Sequence, residues 1–116
     1  MDVFEAVRTV LAVRAYQPTR VPDEVVHKIL EAGRLTGSAS NRQPWHFVVV
    51  QEPRMLARIA EALGRLAPYV ADAPLAIVVV VEPTRFAEMD AARAIQSMLL
   101  TAWSEGVGGN WTGGPG

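Results

Sequence analysis

Two strand-like runs, Trp45–Gln51 and Leu75–Val81, constrain the fold of this chain more than any other feature. Each contains consecutive β-branched residues: Val48-Val49-Val50 in the first, Ile77 to Val81 in the second. Such short apolar blocks read as strands. Neither alternates apolar with polar residues, so the pattern predicts a sheet covered on both faces. Two strands alone do not make a stable sheet. Cover has to come from helices, and the predicted class is α/β, an α+β sandwich with a central sheet flanked by helices.

Four helical patterns surround the strands. Asp2 and Glu5 form a capping-box pattern, and Val3, Phe4, Val7, Val10 and Leu11 recur on one helical face. A second helix starts at Pro22-Asp23-Glu24, where a proline and two carboxylates suit the first turn. Its expected buried stripe is Val25, Val26, Ile29 and Leu30, with Gly33 or Gly37 as terminator. The third follows Glu52-Pro53 and is expected to bury Met55, Leu56, Ile59, Ala60 and Leu63. The fourth runs from about Phe86 to Ser104, and its alanines allow neighbouring backbones to come close.

The 116 residues suit a single domain, 1–116. Eleven basic against twelve acidic residues leave a net charge of −1, which argues against nucleic acid or an anionic membrane as partner. Without cysteine there is no disulfide framework and no thiolate metal site. His27 and His46 stand apart without acidic neighbours at ligand spacing, so no metal ligands are predicted. The chain does not open on a secretory leader pattern, and its longest apolar run is too short to span a bilayer, so the expectation is a cytoplasmic protein. No Ser-His-Asp set or paired acid appears at useful spacing, and no catalytic side chain is assigned.

Ser38 to Phe47, Ser-Ala-Ser-Asn-Arg-Gln-Pro-Trp-His-Phe, is a polar loop between a helix and a strand, closed by Pro44 and two aromatics. Its hydroxyl and amide groups provide both donors and acceptors for a flat, polar-edged ring. The segment resembles the "PSxxNxQPWxF" signature of the FMN-dependent nitroreductase family, with Gly37 where that family usually has proline. Two further segments are similar to the same family. Arg14-Ala15-Tyr16 matches the end of its "RxSxRxF/Y" element, and Gly106 to Gly114 matches the "GLGxxWxGG" stretch after the central helix. The glycine segment follows a helix, whereas a dinucleotide fingerprint must follow a strand.

The resemblance implies FMN as cofactor, NAD(P)H and a small electron-poor acceptor such as a nitroaromatic or quinone as partners, and a homodimer. One subunit would contribute Arg14 and the Trp111, Thr112, Gly113 and Gly114 backbone, and the other Ser38, Ala39, Ser40, Asn41 and Gln43. It places Arg14 near the flavin N1–C2 carbonyl region, where a cation offsets negative charge on the ring. Two positions depart from the family pattern. Val10 and Ala12 stand where its first arginine and its serine meet the phosphate. Similarity runs from Asp2 to Gly114, while a further helix, strand and C-terminal extension of the family have no counterpart, so the fold is expected to be incomplete at the C-terminus. The alternative expectation is a degenerate, non-catalytic relative that dimerises and binds flavin weakly or not at all.

Overall fold

The computed structural model describes residues 1–113. The order is α1 (Val3–Thr9), α2 (Asp23–Arg34), β1 (Trp45–Val50), α3 (Pro53–Leu63), β2 (Ala76–Val81) and α4 (Ala87–Ser104). Short 3₁₀ turns lie at Ala39–Asn41, Gly64–Leu66 and Pro68–Asp72. The class is the expected α+β one. β1 and β2 pair antiparallel, with Trp45 opposite Val81, Phe47 opposite Val79 and Val49 opposite Ile77.

Ile29 of α2 and Met98 and Ala102 of α4 form the centre of the core, and Phe47, Ile77 and Val79 pack on them from the sheet. Gly33 belongs to this contact. A β-carbon there would stand 2.8 Å from Met98 Sδ and 2.9 Å from Phe47 Cζ. It is therefore a buried residue inside α2, and neither it nor Gly37, the two terminators expected from sequence, caps the helix. The helix ends instead at Arg34, with Leu35 as cap. A glycine lowers helix propensity, but its missing side chain lets the helix sit closer to the sheet.

The expectation of a sheet covered on both faces is corrected. Side chains alternate across a strand, so Phe47, Ile77 and Val79 share the helix-packed face. The opposite face is covered at its Val50–Ala76 end, where Val50 is buried, and presents His46, Val48, Val78 and Val80 exposed. Continuous apolarity does not distinguish cover within one chain from cover by another, so the pattern could not reveal this. In α1 the helix ends at Thr9, so Val10 and Leu11 of the expected stripe lie beyond it. Val3, Phe4, Val7 and Leu11 are exposed, and Ala6 is the buried residue of the helix. Thr9 is half-buried, and α1 is tied to α4 by Trp103 Nε1 donating to its Oγ1 at 2.9 Å.

The Asp2 cap is present, its Oδ1 accepting the Glu5 N–H at 2.8 Å. In α3, Leu56 and Ala60 are buried while Met55 is exposed, at the margin of the stripe. Val26 and Ile29 are buried as expected, with Val25 and Leu30 half-buried. Among the described residues, no helix is long and apolar enough to cross a membrane.

Candidate functional site

The Ser38–Gln43 loop has an unusual backbone. Ser40, Asn41 and Gln43 all adopt left-handed conformations, with φ of 53°, 53° and 51°. Such residues cost about 1 kcal/mol or more each and persist where surrounding contacts impose them. Several contacts are internal to the loop. Gln43 N–H donates to Ser38 Oγ at 2.8 Å, Asn41 N–H to the Ser38 carbonyl at 3.0 Å, and Gln43 Nε2 to Asn41 Oδ1 at 3.0 Å. Another comes from far along the chain: Ala39 N–H donates to Asp90 Oδ1 at 3.1 Å. Asp90 lies in the first turn of α4 and is only 3% exposed.

The other two family-like segments lie side by side. Ala12 and Gly109 form an isolated parallel bridge, and Val13 N–H donates to the Gly109 carbonyl at 2.9 Å. The approach requires glycine, because a β-carbon at Gly108 would stand 2.8 Å from Val13 Cγ2. Asn110 Nδ2 donates to Tyr69 OH at 2.7 Å, and Tyr69 lies against Tyr16, their ring centroids 6.2 Å apart. Tyr16 OH donates to the Val13 carbonyl. Burial is the main cause of the raised Tyr16 pKa; Tyr69 adds to it and the Arg14 charge opposes it. The Arg14 side chain is exposed.

The expected site residues thus form two groups. Arg14, two residues past the Ala12–Gly109 bridge, and Trp111, Thr112 and Gly113, which follow Gly109, belong to one; Ser38, Ala39, Ser40, Asn41 and Gln43 belong to the other. Gly114 lies outside the described residues. A β-carbon at Gly109 would stand 3.1 Å from Leu99 Cδ2, which sets the first group beside the middle of α4. The second group is tethered at Asp90, roughly 14 Å away along the helix axis at 1.5 Å per residue. No hydrogen bond joins the groups among the described residues. Trp45 is buried at 7% and is a core aromatic, while Trp111 is exposed.

Two hollows open on the surface of the described residues, and neither of these two encloses the expected residues as a set. One of about 370 Å³, lined by Leu30, Glu31, Arg34, Gln43, Trp45 and Phe47, reaches the loop through Gln43. Another of about 320 Å³, between Pro18, Arg20, Gln51, Pro53, Leu56 and the 71–74 segment, includes none of them. Among the described residues no cluster of His, Asp or Glu could hold a metal ion.

Sequence reading missed Asp90 and Tyr69. Asp90 had a legible signal, an acid at the head of the buried α4 row Asp90, Ala94, Met98, Ala102. Tyr69 sits in an irregular segment with no periodicity to flag it.

Comparison with solved structures defines the class of fold. A Bacteroides thetaiotaomicron structure described as "Putative NADH dehydrogenase/NAD(P)H nitroreductase" superposes with a TM-score of 0.89 at 31% identity, over 94% of this chain and 66% of that one. A Bacteroides fragilis nitroreductase with bound FMN superposes with a TM-score of 0.77 at 29% identity, over 91% of this chain and 66% of that one. The "Nitroreductase family" sequence model matches residues 8–82, and the chain belongs to that family. A Methanothermobacter thermautotrophicus protein named "Putative NADH dehydrogenase/NAD(P)H nitroreductase" is 41% identical over 97% of this chain, which spans 61% of that relative's length.

Proposed function

We propose that the chain is a flavin-dependent oxidoreductase of nitroreductase type, in which FMN supplies the chemistry that carries hydride from NAD(P)H to an electron-poor acceptor such as a nitroaromatic or quinone. The observation that carries this reading is the pairing of Ala12–Val13 with Gly109, which brings the arginine and glycine segments together from opposite ends of the sequence. The 8–82 family match includes Arg14 and the Ser38–Gln43 loop, and the bound FMN of the Bacteroides fragilis relative supports the cofactor.

Each group contributes half of the site. Arg14 and the Trp111–Gly113 backbone form one wall; Ser38, Ala39, Ser40, Asn41 and Gln43 of a second copy form the other. Their separation along α4 and the exposed apolar residues of α1 support a homodimer. The exposed Ser40, Asn41 and Gln43 side chains fit the polar edge of a flavin ring. Glycine lets the backbone run close over a planar ring. Arg14 contributes the cation. These residues orient the ring, and none has to transfer a proton. The phosphate end fits less well, since Val10 and Ala12 bring no donor side chain.

That departure favours the second reading, a dimer that holds flavin weakly and does not turn over. Absorbance of the purified chain titrated with FMN, with sedimentation at micromolar concentration, separates the two. A flavin-loaded dimer that oxidises NAD(P)H supports the enzyme. A dimer that takes up no FMN supports the non-catalytic reading, and a well-folded monomer refutes the two-copy site of both.

A further inference from the structure

We propose that Asp90 is the positioning residue of this site, its buried carboxylate holding the Ser38–Gln43 loop in the left-handed conformation that presents Ser40, Asn41 and Gln43. The inference rests on the reading of that loop as a flavin wall. Among the described residues, the Ala39 N–H bond to Asp90 is the only hydrogen bond from residues 38–43 to another element. The remaining ones connect loop atoms to each other. Pro44 anchors the end of the loop, buried and with its carbonyl accepting the Glu82 N–H at 2.9 Å, and the Asp90 bond holds the left-handed residues between that anchor and α2.

The chemistry of the bond is that of a helix cap supplied from elsewhere. Ala39 opens a 3₁₀ turn, and a first-turn N–H has no partner within its own helix. Ser38 precedes it and is a residue type that ordinarily caps, but its hydroxyl is engaged by Gln43 N–H. Asp90 accepts from Ala39 in its place. Among the described residues it is the only charged side chain that is buried, on a helix row otherwise made of Ala94, Met98 and Ala102. An acid costs free energy there unless it is hydrogen-bonded, and an alanine would pack the row at no such cost. The carboxylate fits this position because it holds the loop.

Two variants of the full chain test the assignment. Asp90→Asn keeps an acceptor oxygen in the same place, and Asp90→Ala removes it. The direct readout is tryptic cleavage at Arg42–Gln43, inside the loop, with Arg65–Leu66 as the reference bond. In Asp90→Ala, cleavage at Arg42–Gln43 should accelerate about tenfold or more, as expected for loss of one charge-assisted bond, with no change at Arg65–Leu66. In Asp90→Asn it should remain within about threefold of the parent, the margin left by a neutral acceptor. Unchanged cleavage in the alanine variant overturns the proposal, as does equal acceleration at both bonds. An asparagine variant as labile as the alanine one also overturns it. If neither variant folds, amide exchange in the parent decides: Ala39 should exchange at least about tenfold below its intrinsic rate, and free exchange there refutes the tether. FMN and riboflavin affinity should both fall in Asp90→Ala, because the loop faces the ring and not the phosphate. If the loop loosens while both flavins bind as before, the tether stands and the flavin reading of the loop fails.

Discussion

Asn41 can be tested with two substitutions whose effects on stability and on cofactor differ. Its φ of 53° is a conformation that asparagine and glycine adopt readily and alanine does not. Asn41→Ala should therefore cost about 1 to 2 kcal/mol of backbone strain. It also removes the acceptor of the Gln43 Nε2 bond, an exposed contact that water replaces at well under about 1 kcal/mol. For a chain of this length, the sum lowers the melting temperature by roughly 4 to 10 °C. Asn41→Gly loses the same side chain without the φ penalty and should melt within about 2 °C of the parent. Flavin affinity depends on the side chain alone. If the amide bonds the ring, both variants should lose about 1 to 2 kcal/mol, roughly five- to thirtyfold in Kd. Calorimetry and fluorescence quenching titrations with FMN measure the two quantities separately. Equal melting temperatures for the two variants would refute the left-handed assignment. Parent-like FMN affinity in Asn41→Gly would remove the side chain from the site.

Val10→Arg with Ala12→Ser should tighten FMN but not riboflavin, with a gain that shrinks as salt rises; equal improvement for both flavins would rule out a phosphate contact. Gly33→Ala should destabilise by about 1 to 3 kcal/mol through overpacking against Met98 and Phe47, partly offset by alanine's better helix propensity, and Met98→Ala in the same chain should recover part of the loss. Urea melts of the four combinations test this, and a stabilised single mutant would contradict the packing. Tyr16 links stability to alkaline pH. Its folded pKa lies above the ordinary 10.0, so its contribution is complete below that value and is lost as pH rises through the folded pKa. Stability measured from pH 9 upward should fall less steeply in Tyr16→Phe than in the parent.

The segments that could be read from sequence are those whose signal is local. Proline and two acids mark the start of α2, the Asp2 cap the start of α1, and β-branched runs the two strands; each depends on residues within about four positions of one another. The Ser38–Phe47 motif and the arginine and glycine segments were legible in the same way, as residue types in order. Tertiary structure decided what those segments meet. Gly33 reads as a helix stop because glycine usually is one, yet the proximity of Met98 and Phe47 makes it a packing residue. The apolar faces of α1 and of the sheet are correct as patterns, but only packing determines whether their cover lies within the chain. The apolar row of α4 marks Asp90 as an acid among buried positions, but its partner Ala39, 51 positions earlier, is set only by the fold. Periodicity encodes which side of an element is apolar. The partner of that side, and of a buried carboxylate, depends on contacts between distant residues that no local pattern specifies.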